Sequence, residues 1–221
     1  MPSFFTINTV MELGCLAIAT ICLYKEKNPY WKSFIFYLLS VCIVEFVGIY
    51  LRKVHLPNHN WYTACLWIEC LMLSSFFYHL FSKYKIKPSL LYSWLGIFMV
   101  VYLAEIWYNK LDNFTFRTAA FMSVVFVIAS LYFYVLILRD EVFRRLSTYP
   151  PFWIVNGCLF FYFGSTACNL FFDYLVQDHY SKLSLSIRYL TFNILNVLLY
   201  SCWSYAFICR FLQRNSSSSL H

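Results

Sequence analysis

Seven apolar runs, each about twenty residues long and separated by short polar breaks, decide what this chain can fold into. They cover approximately residues 3–24, 33–51, 61–81, 89–108, 116–138, 152–176 and 187–211. A hydrocarbon core about 30 Å thick is crossed by roughly 20 helical residues, so each run is a candidate membrane span. The breaks KEKNPYWK, RKVHLPNHN, SKYKIKP, NKLDN, RDEVFRRLSTYPP and QDHYSKLS carry the turn and charge signals. Pro29, Pro57, Pro88, Pro150 and Pro151 all fall in them, where a missing backbone N–H costs little. Composition agrees: 61% of the 221 residues are hydrophobic and 12% charged, against about 25% charged in soluble domains. The fold class is therefore an all-α membrane protein, a seven-transmembrane-helix bundle. Residues 1–214 are expected to form the bundle and residues 215–221, ending in NSSSSLH, a disordered tail.

Lysine and arginine placement predicts the direction of the helices. Loops one, three and five and the C-terminal tail hold eleven of these residues, from Lys25 to Arg214; the opposite side holds six, Arg52, Lys53, Lys110, Arg117, Lys182 and Arg188. The expectation is an amino terminus outside and a carboxyl terminus in the cytoplasm. No basic residue precedes the first run, so it reads as a retained helix and not as a cleaved signal. The net charge of +7 is spread over these short clusters, with no basic stripe or arm, which argues against nucleic-acid binding. The nine cysteines all lie in apolar runs and form no C-x-x-C pair, so they read as small packing residues.

The chemistry-bearing residues are those that a lipid-embedded helix should avoid. Glu12, Glu45, Glu69 and Glu105 lie within predicted spans, where an ionised carboxylate costs on the order of 3 kcal/mol near the centre. With the direction above, Glu12, Glu45 and Glu69 sit roughly 9–14 Å below the outer surface, at 1.5 Å per residue. Glu105 is near the outer end of its helix. Asn169, Arg188, Asn193 and Asn196 fall in the same outer half. Asn193 and Asn196 share a helix face by their spacing, as do Tyr62 and Glu69. Arg188 is the cation expected above the carboxylates, and Glu69 the centre of the set. Two functions remain open: a polar pocket for a small ligand or protons, or hydrogen bonds that tie helices together. His79 is a candidate for pH response near the inner end of the third helix. HLPNH, at His55 to His59, is too sparse in ligands to suggest a metal site.

No cofactor or metal is expected, and no catalytic residue is assigned. The last helix has no lysine for a retinal Schiff base; the spans contain one histidine and so no histidine-rich zinc site; and no P-Q pair of the sugar-transporter type occurs.

Three stretches carry a resemblance: WYTACLWIECLMLSSFFY, PPFWIVNGCLFFYFGSTACNLFF and FNILNVLLYSCWSYAF. With seven spans in this length, the chain resembles an uncharacterised family of small seven-helix bacterial integral membrane proteins. The matching motifs are Ile68–Glu69, the helix start at Pro150, Phe152, Trp153, Ile154 and Gly157, and the pair Asn193 and Asn196. The chain reads V-N-G at 155–157 where the family pattern has N-S-G, so Asn156 stands one residue away from the family's asparagine. The resemblance implies a stand-alone sensory or accessory protein of the bacterial inner membrane, working beside a membrane histidine kinase or other signalling protein. The leading expectation is thus a non-enzymatic receptor-like protein in the lipid bilayer, with an unknown small ligand and no nucleic acid. A proton-linked small-molecule transporter and a membrane lipid-modifying enzyme are the alternatives.

Overall fold

A computed structural model describes residues 6–84, 87–109, 114–140, 145–176 and 181–218, with the side chains of 109, 169–176, 181–188 and 217–218 excepted. Among the described residues there are seven α-helices and no strand. They are α1 (Ile7–Leu23), α2 (Pro29–Lys53), α3 (His59–Ser82), α4 (Pro88–Asn109), α5 (Phe116–Arg139), α6 (Pro150–Val176) and α7 (Ser181–Ser218); a short 3-10 turn, η1 (Leu146–Thr148), precedes α6. Five helices, α2, α3, α4, α5 and α7, are long and apolar enough to cross a membrane. These five are counted among the described residues; α1 is an apolar helix of 17 residues, and α6, with 27 residues, is described with its side chains only as far as 168. The seventh helix outruns its expected bounds at both ends and continues through Ser218, because QRNSSS contains neither proline nor glycine.

These helices carry large apolar side chains outward as well as inward. Phe36, Ile97, Val100, Ile128 and Phe163 are each more than half exposed. A helix that is apolar all round suits lipid, where an exposed face of this kind has no cost.

Backbone hydrogen-bonding groups at the helix ends need partners, and the sequence supplies them. Thr6 caps α1 by accepting the Thr9 N–H at 3.2 Å. Asn28 caps α2: its Oδ1 accepts the Tyr30 N–H at 3.0 Å, and Pro29 occupies the first helical position, where its ring preorganises the turn. At the other end of α2 the His55 N–H donates to the Arg52 carbonyl and the Leu56 N–H to the Leu51 carbonyl, at 3.3 and 2.9 Å. This pair of bonds is a Schellman motif, and it places His55 in the left-handed region at φ 58°.

The chain divides into two compact units, Met1–Met122 and Ser123–His221. In the first, α1 packs on α2, α2 on α3 and α3 on α4. Its core at one end is aromatic: Phe76 meets Trp31 and Phe34 edge-on, with centroids 5.5 and 5.0 Å apart. Further along, Trp67 of α3 meets Phe98 and Tyr102 of α4 edge-on at 4.9 and 5.4 Å. In the second unit α6 and α7 pack along their length. Gly157 and Gly164, seven apart on one face of α6, let this happen. A methyl group at Gly157 would meet the Trp203 ring at 3.0 Å, and one at Gly164 would meet Leu195 Cδ1 at 2.9 Å. The Trp203 Nε1–H also donates to the Ile154 carbonyl at 3.2 Å. Small residues that allow close helix approach are the usual basis of packing where no hydrophobic effect operates between helices.

Candidate functional site

In the first unit, α1, α2 and α3 bring three of the sequence-predicted residues together. The Tyr62 hydroxyl of α3 donates to Glu45 Oε2 of α2 at 3.2 Å. Gly48, one turn from Glu45, makes room for it: a Cβ there would lie 2.7 Å from Tyr62 Cζ and would overlap the hydroxyl. Glu12 of α1 is buried, 6% exposed, and lies within electrostatic reach of both Cys42 and Tyr62. Arg52, seven residues beyond Glu45 on the same face of α2, also lies within electrostatic reach of Tyr62. The bonded pair is Tyr62 with Glu45; a second, buried carboxylate and the exposed Arg52 guanidinium lie within electrostatic reach of it. Two buried polar atoms on α1 and α3, Asn8 Oδ1 and Thr63 Oγ1, have no hydrogen-bond partner among the described residues.

Glu105 belongs to a different structure. Its Oε1 accepts the Arg117 N–H at 3.0 Å, and its Oε2 accepts the Thr118 N–H at 2.7 Å and the Thr118 hydroxyl at 2.6 Å. Arg117 and Thr118 are the second and third residues of α5, so the carboxylate does for α5 what a capping side chain does at its own helix start. It also lies at the positive end of the helix dipole. Its burial, at 8% exposed, is accounted for by these three bonds.

Glu69 is half-buried, within electrostatic reach of Cys65 and Cys70 on its own helix. It lies two turns, about 10 Å, along α3 from Tyr62. Asn193 and Asn196 lie on α7 in the second unit. Asn193 is 6% exposed, and its Oδ1 has no hydrogen-bond partner among the described residues. The side chains of Asn169 and Arg188 lie outside the described residues. Asn156 accepts a hydrogen bond from the Tyr134 hydroxyl, which ties α6 to α5. Among the described residues no three His, Cys, Asp or Glu side chains come together as a metal-holding group.

At the opposite end of α2 and α3, His79 sits beneath Tyr30, the rings stacked with centroids 4.3 Å apart and planes within 14°. Asn28 Nδ2 lies 3.3 Å from His79 Nε2. Glu26, buried in the α1–α2 turn, accepts the N–H groups of Lys27 and Asn28, both at 3.1 Å.

Sequence reasoning missed Gly48 and Arg52 as members of the cluster. The signal was present: positions 45, 48 and 52 follow the three- and four-residue steps of one helix face.

Together these observations define an all-helical protein with helices suited to a membrane and a carboxylate–tyrosine cluster among the first three. Comparison with protein-family models, with curated proteins and with solved structures finds no match for this chain. A functional reading rests on the cluster itself.

Proposed function

We propose that this chain is a receptor-like or accessory protein of the bacterial inner membrane that acts through a partner. In this reading it spans the membrane seven times with its amino terminus outside, and the cluster of Glu12, Glu45 and Tyr62 is a polar site in the outer half. The partner is a membrane histidine kinase or another signalling protein. The observation that carries the reading is the Tyr62–Glu45 hydrogen bond between two helices that meet at Gly48. Carboxylates in apolar helices are costly and mark functional positions by default. A bound cation or a proton at Glu45 changes what the Tyr62 hydroxyl can donate to, and Tyr62 is wedged against the α2 backbone. A change at this bond therefore becomes a movement of α2 against α3, which the loops at the helix ends pass to a partner.

The test is pull-down of the tagged chain from its native membrane together with a kinase-output reporter. The expected result is recovery of a membrane kinase and an altered output in Glu45→Gln, with the protein still at wild-type level in the membrane. A chain that purifies alone, and whose deletion leaves every kinase output unchanged, overturns the proposal.

A further inference from the structure

The end of the first unit where α1 turns into α2 and α3 into α4 carries positive charge that the fold leaves outside. Tyr30 stacks on His79, and Asn28 Nδ2 lies 3.3 Å from His79 Nε2, so the α1–α2 turn is held beside the end of α3. α4 runs back along α3: the Trp94 Nε1–H donates to Ser74 Oγ at 2.8 Å and Phe98 meets Trp67, which brings the start of α4 to the same end. Five lysines stand there, Lys25, Lys27, Lys32, Lys83 and Lys87, and all five are exposed. As a sequence, KEK is a loop of mixed charge, but the structure separates its members. Glu26 is 7% exposed, and its Oε1 accepts the N–H groups of Lys27 and Asn28. Among the described residues of 24–32, 79–84 and 87–92 there is no other Asp or Glu, so the outward surface is cationic.

Helix dipoles account for two of the lysines. Lys25 and Lys83 follow the last residues of α1 and α3, at the negative helix ends. Lys27, Lys32 and Lys87 do the reverse. They flank or enter the first turns of α2 and α4, at the positive ends, and neither first turn holds an acidic residue. These three raise the positive potential of the end, and an anion from outside lowers it. The anion they suit is a surface and not a point ligand. Lysine is a compact point charge with no planar fork for paired bonds, and five of them on separate segments address several anions at once. Tyr24 adjoins Lys25 in the chain, and Leu90 and Tyr92 follow Lys87 in α4; the three are 72%, 64% and 70% exposed. Tyrosine at the end of an apolar span belongs at the level of lipid headgroups, and lysines clustered there attract anionic lipid.

We propose that this lysine-bearing end of the first unit is a docking surface for anionic phospholipid headgroups, which it gathers in preference to zwitterionic ones. The surface lies at the opposite end of α2 and α3 from the Glu45–Tyr62 cluster and does not depend on the function proposed for it.

The full chain is reconstituted in phosphatidylcholine vesicles with a trace of spin-labelled phosphatidylglycerol or spin-labelled phosphatidylcholine, and the fraction of label immobilised by the protein is read by electron spin resonance. The expected result is association of the anionic label about threefold or more stronger than that of the zwitterionic one. Salt at about 1 M, where the screening length falls to about 3 Å, removes most of that preference from the unaltered chain. Lys27→Gln, Lys32→Gln and Lys87→Gln together remove about half of it or more. Lys53→Gln, at the other end of α2, leaves it in place. Equal association of the two labels, a preference that survives the salt, or a wild-type preference in the triple variant overturns the proposal. Binding of soluble polyglutamate by the wild type and not by the triple variant, with no lipid preference in vesicles, overturns lipid as the occupant and gives the surface to an acidic protein segment.

Discussion

Glu105 and Glu45 look alike in the sequence, each a lone carboxylate in an apolar run, yet they do different work. Glu105→Ala leaves the N–H groups of Arg117 and Thr118 without their acceptor and is expected to lower stability by about 1–3 kcal/mol. Glu105→Gln, which keeps one oxygen, falls in between. Thermal unfolding in detergent measures both. Tyr62 offers the contrasting case. Gly48→Ala pushes the hydroxyl off Glu45 by filling its space, so it is expected to reproduce the altered kinase output proposed for Glu45→Gln although no polar group has been removed. If Gly48→Ala signals normally, the Tyr62–Glu45 bond is not the moving part. The four glutamates could be found by reading the sequence, because any charge stands out in an apolar run. Their separate roles could not be read the same way. Depth along a helix follows from counting residues, but Glu105 meets its partners across a connection from α4 to α5, and no spacing rule reports that. Glu69 was expected at the centre because its depth matched that of Glu12 and Glu45. Depth alone does not fix which way a side chain faces, and the Tyr62 hydroxyl donates to Glu45.

Helices were legible because length and apolarity are one-dimensional properties. The start of α6 at Pro150 follows from proline at the first turn, whereas α2 begins at Pro29, ahead of the expected run at 33, because the proline opens the helix instead of lying in the break. The end of α2 was less plain, since left-handed closing positions favour glycine or asparagine and this one is histidine. That choice has a cost. His55→Gly is expected to stabilise the protein by about 1 kcal/mol through relief of the left-handed backbone. A shift of the unfolding midpoint upward checks it, and a downward shift would mean that the imidazole makes a contact worth more than the strain. The overrun of α7 to Ser218 was illegible for the opposite reason. Polar, serine-rich composition suggests a tail, but nothing in it stops a helix already under way.

At the scale of the whole molecule, the outward-facing apolar side chains and five span-length helices make a membrane the natural solvent. The charge asymmetry then predicts direction. A fluorescent protein fused after residue 221 is expected to be bright, and alkaline phosphatase at the same point inactive, since the first folds in the cytoplasm and the second only outside it. The reverse pattern would invert the topology and move the Glu45–Tyr62 cluster to the inner half.

Asn28 settles a question about hydrogen that heavy-atom positions alone leave open. Its carbonyl oxygen is taken by the Tyr30 N–H, so the amide group facing His79 is the NH2, and that group can only donate. His79 Nε2 must then offer a lone pair, and the ring carries its proton on Nδ1. The histidine is thereby held as one tautomer by the residue that starts a helix fifty-one positions earlier in the chain. An aspartate in place of Asn28 would keep the helix start but present an oxygen to the ring, and so call for the opposite tautomer or the imidazolium. Nitrogen-15 shifts of the His79 ring distinguish the three forms, which makes this side chain a resident reporter on how α2 begins.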